Sequence, residues 1–400
     1  MGIEGIPDSM LACQLLEVRT TPPSPLEYPS SASYGHPDQH INANKVSEQF
    51  NKPYKIHEIP TPSSLGPHDI LVKVAVASYC HTDGMVSAGI MGTSLPCTAS
   101  HEGAGTVVAV GSSISSFQKG DRVLCPLMRN NCGACPDCLG PENYTQYCPH
   151  NDGACGVNLD GFFAQYAIID GRGANRLPDR LSFATAAPLA CAGCTVWRGV
   201  LQAGLTPGEW LCIVGAGGGL GHMGVQFAKA LGLQVVGVEA REEGMKLAKS
   251  AGADVVVDAR AGKEKVAEEV RKVTGGHGAD ATVNVSDADE AAAVACAVTK
   301  MHGLMVQIAQ PPEVKIPFVE FVFRDVRVQG SLISSRDESR RMLELVVAHN
   351  VHVRKNVFHG LAEIPKMLEL VHSGKMAGKG VVVVDEDAIR AEKESGLDMV

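Results

Sequence analysis

The sequence lacks several features that would place it in other classes of protein. No uninterrupted apolar run approaches the length needed to span a bilayer, and the basic residues are scattered singly along a chain of net charge −9. Residues 1–10 contain neither a basic nor an apolar targeting region, and tandem repeats and low-complexity segments are absent. We therefore expect a cytoplasmic protein that binds neither membranes nor nucleic acids.

The composition indicates a large globular protein with an uneven distribution of cysteine. A chain of 400 residues with 45% hydrophobic content can bury a sizeable core and is expected to form two domains. Thirteen cysteines are a high count for a reducing compartment, and six of them lie from Cys125 to Cys155. Clustering at short spacings in a cytosolic chain favours metal binding over disulfides.

The two parts of the chain differ in their predicted elements. Up to Ile169, short apolar or alternating runs are separated by glycine and proline, which predicts a β-rich, barrel-like domain whose strands include one at 162–169. From Trp210 onward strands alternate with helices, two of which are predicted at 263–273 and 336–348, and this alternation predicts a doubly wound parallel sheet and an α/β fold class. We place the first domain at residues 1–190 and the second at 191–330. Residues 331–400 are expected to return to the first domain, with a strand at 380–384.

Three further segments have predictions of their own. Residues 20–49 are poor in apolar side chains and are expected to form an extended or mobile surface excursion. Residues 184–203 are predicted to form a single helix with Cys191 near its start. The charged tail from Asp385 onward is expected to be loose.

The segment from Cys80 to Glu102 is the candidate for most of a catalytic zinc site. Cys80 and His101 supply the thiolate and imidazole that tetrahedral Zn²⁺ prefers, and a catalytic site keeps one position open. The best third ligand is Cys191, just before a glycine-rich motif. The alternative for an isolated Cys and His pair is burial as ordinary core residues.

A second cysteine cluster has the spacing of a structural zinc site. Cys132, Cys135 and Cys138 are each separated by two residues, and Cys148 follows in the same segment. A short loop can wrap successive thiolates around one ion, and four thiolates leave no open position. The alternatives are packing or redox chemistry, and the flanking Cys125 and Cys155 are interpreted as bystanders.

A glycine-rich turn between a strand and a helix predicts dinucleotide binding. The apolar strand at 210–215 leads into the turn, a helical pattern follows, and the next strand ends in an acidic residue. Glycines let the backbone approach a pyrophosphate, and the acid can accept hydrogen bonds from the adenosine ribose. The candidate residues are Gly217, Gly218, Gly219, Leu220, Gly221 and Glu239.

Together the motifs define a reaction class, hydride transfer between an alcohol and a nicotinamide with assistance from zinc. Thr82 offers a hydroxyl that can carry the alcohol proton away. Asp83 is a candidate acceptor that orients a metal ligand, and Glu102 is a candidate for a place behind the zinc or for an occasional ligand. The alternative for each of these three residues is a local turn or surface role.

The order of these motifs resembles that of the zinc-dependent medium-chain alcohol dehydrogenases, especially their microbial, often tetrameric branch. The similarity extends from about Phe50 to Asp385 and includes the Gly378-Lys379-Gly380 segment. The resemblance implies a GroES-like catalytic domain, a Rossmann coenzyme domain and two zinc ions per chain. It also implies a homo-oligomer, dimeric or tetrameric, that acts on a small-molecule alcohol or aldehyde.

The resemblance implies roles for individual residues as well. The catalytic ion would be held by Cys80, His101 and Cys191 with Glu102 close by, and the structural ion by Cys132, Cys135, Cys138 and Cys148. Thr82 would begin a proton relay, and His81 would approach the coenzyme phosphates. Thr195 would lie near the nicotinamide, and Lys379 would be among the coenzyme-binding residues.

Several positions depart from the family pattern. The spacing from Cys138 to Cys148 is two residues longer than in relatives, so the loop is expected to bulge. Where microbial relatives commonly end their proton relay in histidine, this chain has Met85 and Ala88. Pocket positions that carry tryptophan in ethanol-active relatives correspond here to Met91, or to a gap, and to Leu127, and a neighbouring apolar position corresponds to Gln310. These changes predict a wider pocket and a substrate larger than ethanol, in a specialised pathway.

The coenzyme and the reaction each have an alternative. Glu239 favours NAD because a carboxylate repels a 2′-phosphate, whereas Arg241 can pair with one, so NADP is the second possibility. Relatives on this scaffold also reduce activated carbon–carbon double bonds, and the intact Cys80, His101 and Cys191 set weighs against that reaction. A non-catalytic nucleotide or redox sensor is the remaining alternative.

Overall fold

The computed structural model describes residues 3–16, 50, 52–141 and 143–397, which form two compact units. The first unit comprises the described residues up to Cys191, together with Val357–Gly374 and those from Gly380 onward. The second comprises Ala192–Asn356 and Lys375–Lys379. The excursion predicted for residues 20–49 lies entirely outside the described residues.

The first unit is rich in short strands. Its strands are β1 (Ser9–Leu15), β2 (Lys55–Pro60), β3 (Asp69–Tyr79), β4 (Cys97–Thr98), β5 (Glu102–Val110), β6 (Arg122–Leu124), β7 (Met128–Arg129), β8 (Gly153–Ala154), β9 (Tyr166–Asp170) and β10 (Asn175–Arg176). Its helices before the second unit are α1 (His81–Ser87), α2 (Pro136–Leu139) and α3 (Phe183–Pro188).

Strand β3 is the centre of this unit because both of its faces are buried. Residues such as Leu71 and Val72 are fully enclosed, as the apolar run in the sequence requires. β3 pairs antiparallel with β5 and β9, and β5 pairs in turn with β6. Ser78 of β3 lies opposite Glu102 of β5, so this register brings the end that carries Cys80 beside His101.

The second unit contains most of the helices. Its strands are β11 (Trp210–Val214), β12 (Gln234–Glu239), β13 (Val255–Asp258), β14 (Ala279–Asn284), β15 (Thr299–Gln307) and β16 (Arg327–Gly330). Its helices are α4 (Cys194–Gln202), α5 (Gly221–Ala230), α6 (Glu242–Ser250), α7 (Lys263–Val273), α8 (Ala291–Val298), α9 (Phe318–Val322) and α10 (Arg336–Ala348).

The six strands form one parallel sheet in the order β13-β12-β11-β14-β15-β16. This order reverses at β11, as in doubly wound dinucleotide-binding folds. Successive residues of β11 point to opposite faces, so Cys212 and Val214 belong to one apolar core and Leu211 and Ile213 to another. A core on each face of the sheet explains why the strand is apolar throughout.

The remaining elements are β17 (Lys355–His359), α11 (Ile364–His372), β18 (Lys379–Val383) and α12 (Glu386–Glu394). β18 pairs antiparallel with β3, so the strand predicted at 380–384 does return to the first unit. The return begins later than predicted, because residues 331–356 belong to the second unit. The prediction of a loose tail was wrong, since Asp385 caps α12 by accepting hydrogen bonds from the N–H groups of Asp387 and Ala388.

Two other predictions need correction. The strand predicted at 162–169 begins only at Tyr166. The single helix predicted at 184–203 is interrupted, because α3 and α4 are joined by a π-helical turn, Leu189–Gly193. Cys191 therefore lies in the middle of this turn. A π-turn inserts an extra residue into a helix and is frequent at functional sites.

Candidate metal centres and dinucleotide-binding turn

Cys80 lies at the point where β3 ends and α1 begins. Its backbone N–H donates to Oδ2 of Asp83 at 2.8 Å, and the N–H of Asp83 donates back to the Cys80 carbonyl at 3.0 Å. Asp83 therefore acts as the acidic residue of the first helical turn, which fixes the backbone of Cys80. Sequence analysis did not predict α1, whose seven residues include two of low helix propensity, Thr82 and Gly84.

His101 is almost fully buried and contacts the same carboxylate. Its Nδ1 lies 3.3 Å from Oδ1 of Asp83, and that oxygen also accepts the N–H of Ser100 at 3.1 Å. Although burial opposes protonation, the nearby Asp83 and Cys80 raise the pKa of His101 well above its usual value. With Nδ1 beside a carboxylate, Nε2 is the atom that faces a metal.

Cys80, His101 and Cys191 form one cluster, with their ligand atoms within 4.8 Å of one another. A tetrahedral zinc site with bonds of about 2.0–2.3 Å has edges of roughly 3.3–3.8 Å, so the three atoms are within range of a common ion. Two sulfurs and one imidazole nitrogen also match the ligand chemistry of Zn²⁺. Glu102 is fully buried on β5 but is not a member of this cluster.

The second cluster contains Cys132, Cys135, Cys138 and Cys148. The Sγ atom of Cys132 lies 4.0 Å from that of Cys138 and 3.6 Å from that of Cys148. Zn–S bonds of about 2.3 Å give tetrahedral S···S edges of about 3.8 Å, whereas a disulfide requires about 2.05 Å. The four sulfurs are therefore spaced for a shared ion and not for a disulfide.

The loop between the first and last of these cysteines is built from short local elements. α2 begins directly after Cys135, and Asn143 takes a left-handed conformation with φ 49° before a 3₁₀ turn, Thr145–Tyr147. The N–H groups of Ala134 and Cys135 donate to Sγ of Cys132 at 3.4 and 3.3 Å. These donors lower the pKa of the Cys132 thiol to about 6, which favours the thiolate that a metal binds.

The glycine-rich turn of the second unit joins β11 to α5. Gly215 has φ +88°, which favours glycine, and a Cβ at Gly217 would lie 2.0 Å from the carbonyl oxygen of Gly244. A Cβ at Gly221 would lie 2.1 Å from the Gly215 carbonyl oxygen. Gly218, Gly219 and Leu220 lie between them and lead into the first turn of α5, where N–H groups and the helix dipole attract an anion.

Glu239, at the end of β12, is buried against this turn. Its Oε2 accepts the N–H of Gly217 at 3.0 Å, and its Oε1 accepts the N–H groups of Ala240 and Arg241 at 3.0 and 3.1 Å. The Arg241 side chain lies beside it, with Nε 3.4 Å from Oε1 and Nη2 3.4 Å from the Gly217 carbonyl oxygen. The acid and the arginine singled out in the sequence are thus neighbours at the turn.

Two further residues, Lys379 and His222, lie close to the turn. The stem of Lys379 runs past Gly219, since a Cβ there would lie 3.0 Å from Cδ of Lys379. Sequence analysis missed His222, on α5, whose Nδ1 lies 2.9 Å from the Gly218 carbonyl oxygen and whose Nε2 accepts the Arg354 N–H at 3.1 Å. Burial lowers the pKa of His222 to about 4, so the ring is neutral and holds the turn.

The other predicted site residues are distributed over the two units. His81 is exposed and Thr82 half-buried in the first turn of α1, next to Cys80. Thr195 is buried in the first turn of α4 in the second unit. A unit that gathers two metal-binding clusters and a unit with a dinucleotide-binding turn are together typical of metal-assisted, dinucleotide-dependent oxidoreductases.

Comparison with protein families agrees with this class. Residues 66–179 match the alcohol dehydrogenase GroES-like domain, and residues 219–348 match the zinc-binding dehydrogenase family. An alcohol dehydrogenase of Rhizobium meliloti (strain 1021) is 35% identical over 341 residues, which cover 84% of this chain and 97% of the relative. The chain therefore belongs to the zinc-dependent medium-chain alcohol dehydrogenase family.

Solved structures show the same architecture. The alcohol dehydrogenase of the archaeon Aeropyrum pernix is 30% identical with a TM-score of 0.76, over 84% of this chain and 97% of that one. A Sinorhizobium meliloti 1021 protein assigned to the zinc-binding dehydrogenases and bound to NADP is 25% identical with a TM-score of 0.75, over 94% and 99%. The predicted fold class, GroES-like plus Rossmann, is confirmed.

Family membership supports the general activity. An oxidoreductase function of alcohol dehydrogenase type follows from the family and its relatives. Within the residues that the structure describes, every helix is too short or too polar to cross a bilayer.

Proposed function

We propose that this protein is a zinc-dependent and nicotinamide-dependent alcohol dehydrogenase or aldehyde reductase whose preferred alcohol is larger than ethanol. The observation that carries the proposal is the cluster of Cys80, His101 and Cys191, which have the ligand chemistry and proximity of an open zinc site. A scaffold relative that reduces carbon–carbon double bonds without metal would not need this set. The sensor alternative would not need it either.

Different residues of the chain would bind the metal, transfer the proton and contact the coenzyme. When bound, the ion supplies Lewis-acid polarisation of an alcohol or carbonyl oxygen, and the nicotinamide supplies the hydride acceptor or donor. Cys80 and Cys191 would contribute negative charge, and Asp83 would hold His101 in one ring orientation. Thr82 would accept and pass on the hydroxyl proton of the alcohol, while His81 and Thr195 would contact the coenzyme. Met85 and Ala88 carry no titratable group, so the proton must leave Thr82 by a different group.

We also propose two zinc ions per chain. The cluster of Cys80, His101 and Cys191 would hold the catalytic ion, and the four-cysteine cluster the structural one. None of the thirteen cysteines, all of which the structure describes, forms a disulfide, which supports a reducing compartment such as the cytoplasm.

The proposal of a larger substrate rests on Met91 and Leu127. Both are half-buried in one apolar cluster with Val86 of α1, the helix that begins after Cys80. Tyr54, Leu95 and Met128 pack against the same cluster. Flexible methionine and leucine side chains leave more room than tryptophan, so additional carbons of a substrate would find an apolar wall.

NAD is the proposed coenzyme. The Glu239 carboxylate lies at the turn, and its negative charge would repel the 2′-phosphate of NADP. Arg241 is already in contact with Glu239 and with the Gly217 carbonyl, which favours a positioning role over phosphate binding. Glu239→Gln should raise activity with NADP relative to NAD, whereas Glu243→Gln, on the exposed surface of α6, should leave the ratio unchanged.

The decisive experiment is an activity panel on zinc-replete protein, in which absorbance at 340 nm measures the consumption of the reduced coenzyme. NADH and NADPH would be offered with aldehydes of increasing length, aryl aldehydes, and α,β-unsaturated compounds. Each buried methylene contributes about 0.8 kcal/mol, so kcat/KM is expected to rise about fourfold per added carbon until the pocket is filled. Leu127→Trp should shift the optimum toward shorter substrates.

Three results would contradict the proposal. Ethanol or acetaldehyde as the best substrate would refute the larger pocket. Reduction of the double bond with no carbonyl reduction would establish the enoyl reductase alternative. Absence of turnover with every carbonyl compound, despite coenzyme binding, would favour the sensor.

A further inference from the structure

The C-terminal helix α12 is anchored to the first unit at both ends. It starts where β18 leaves the sheet, and the N–H groups of Val384 and Asp385 donate to the Ala75 carbonyl at 2.9 and 3.1 Å. Lys73 Nζ lies 2.7 Å from Oδ2 of Asp385. Further along α12, Ile389 and Glu392 are both buried, and their i, i+3 spacing puts them on one face.

Glu392 is the most unusual residue of this helix because it is a carboxylate exposed by only 5%. Its two oxygens accept the backbone N–H of Phe183 at 3.0 and 3.1 Å. It also pairs with the Arg122 guanidinium, which stacks over the Phe183 ring at 4.6 Å from the centroid. Arg122 in turn donates to the carbonyl groups of Pro178 and Leu181, so the segment before α3 is tied to the same pair.

Phe183 is the first residue of α3. The backbone N–H groups in the first turn of a helix have no acceptors within that helix. Ser182 accepts the N–H of Thr185, and Glu392 accepts the N–H of Phe183. The carboxylate thus completes the cap with a charge that the helix dipole favours. α3 continues directly into the π-turn Leu189–Gly193, so Cys191 lies eight residues, or roughly 12 Å, from the capped end.

The buried ion pair of Glu392 with Arg122 is difficult to explain as a source of stability. Burial raises the pKa of Glu392, although Arg122 and the Phe183 N–H act in the opposite direction. A carboxyl group whose pKa is raised in the folded protein makes folding less favourable once it ionises, so the burial of Glu392 costs stability as the pH rises. The role that these contacts indicate is positional, since they join α12 to the start of α3.

We infer that Glu392 of the C-terminal helix is a positioning residue for the catalytic metal centre, holding α3 so that Cys191 meets Cys80 and His101. This inference rests on the proposed function, because it requires a zinc ion at that cluster. The geometry provides a path from Glu392 through Phe183 and the buried α3 to the π-turn. The four-cysteine cluster has no such connection to α3 among the described contacts and serves as an internal control.

The test is the rate at which each zinc ion is lost to a chelator from the full-length protein. Cys80→Ser and Cys148→Ser identify which kinetic phase belongs to which cluster. Glu392→Ala removes the acceptor of the Phe183 N–H and is expected to speed release from the Cys80 cluster by about tenfold, as for residues that support metal ligands. Release from the four-cysteine cluster should be unchanged. Glu392→Gln keeps an oxygen acceptor and should show a smaller effect.

The matched control is Glu394→Ala, which removes the same charge from an exposed position of α12. Equal release rates in Glu392→Ala, Glu394→Ala and the unchanged protein would overturn the inference. Equal acceleration of both ions would also overturn it, since it would reveal only a general loss of stability. If Glu392→Ala does not fold, Glu392→Gln decides, and a rate equal to that of Glu394→Ala refutes the inference. An unchanged protein that holds no ion at the Cys80 cluster would refute the proposed function itself.

Discussion

At the scale of single residues, Asp83 contacts two of the three proposed ligands of the catalytic zinc ion. One carboxylate accepts the N–H groups of Cys80 and Ser100 and lies 3.3 Å from Nδ1 of His101. It therefore fixes the backbone beside one proposed ligand and the ring orientation of another. Its complete burial makes each contact strong, because no water competes for the oxygens.

Asp83→Asn should weaken the catalytic zinc site. The amide NH₂ group must face at least one of the N–H groups that now donate to the carboxylate, and two donors cannot form a hydrogen bond. The positions of Cys80 and His101 therefore cannot both be kept. We expect zinc affinity at this cluster to fall about 10- to 100-fold, measured by competition with a chromogenic chelator. The exposed Asp179→Asn serves as the control, and unchanged affinity in Asp83→Asn would contradict the assignment.

His222 should make stability depend on pH. Its pKa falls from 6.5 to about 4 in the folded protein because the ring is buried, so the unfolded chain binds its proton more readily. This contribution to stability is fully present above about pH 6.5 and is lost as the pH falls toward 4, by about 3 kcal/mol at 1.36 kcal/mol per pH unit.

The measurement is the unfolding midpoint of the second unit as a function of pH, with the fluorescence of Trp210 as the signal that reports unfolding. His222→Gln retains a donor and an acceptor for the turn but has no titrating group, so its midpoint should fall less steeply between pH 6.5 and 4. His277→Gln, on an exposed histidine, should follow the unchanged protein. Identical slopes for His222→Gln and His277→Gln would exclude a role for His222.

At the scale of elements, the loop that carries the four cysteines depends on contacts between its own sulfurs. α2 has only four residues, and the 3₁₀ turn has three, so neither is stable alone. The chain here contributes little to the apolar core, since of the residues described from Cys132 to Cys148 only Gln146 and two of the cysteines are buried. A bound ion would supply the cohesion that the loop otherwise lacks.

Cys148→Ser is expected to remove one zinc ion per chain and lower the free energy of unfolding by more than about 2 kcal/mol. Metal analysis and thermal unfolding with and without chelator would check this. Cys155→Ala, a buried cysteine outside the cluster, should keep both ions. Retention of two ions by Cys148→Ser would remove Cys148 from the ligand set.

At the scale of the whole molecule, the second unit carries an apolar surface that supports a homo-oligomer. Phe318, Val322 and Phe323 are each exposed by two thirds or more, at 69%, 68% and 67%. They lie near β16, which ends the sheet and pairs with no further strand in the described part of the chain. We propose that a second copy of the chain covers this surface, because an exposed apolar patch beside an open strand edge is otherwise prone to aggregation.

The double variant Phe318→Glu with Val322→Lys should convert the oligomer into smaller species, measured by light scattering during size-exclusion chromatography. Charged side chains in a desolvated interface would lack partners and oppose association. Ile90→Glu places a charge at an exposed apolar residue of the first unit and should leave the assembly intact. A monomeric unchanged protein, or an unaltered double variant, would contradict the proposal.

Local features of the sequence carried much of the prediction. Apolar runs such as 210–214 predict strands because the side chains that fill both faces of a sheet must be consecutive. The helix bounds at Lys263–Val273 and Arg336–Ala348 were predicted correctly because their amphipathic patterns are long. α1 and α12 were missed because one begins with residues of low helix propensity and the other has only two buried positions.

The sequence by itself determined the glycine turn, the cysteine spacing and the periodicity of the sheet, since these depend on residues close together in the chain. Only the tertiary structure decided which distant residues meet. It placed Asp83 beside His101, located Cys191 in a π-turn and buried Glu392 against the start of α3. The physical reason is that such contacts follow from how sheets and helices pack, and no local pattern encodes which partner a buried carboxylate will find.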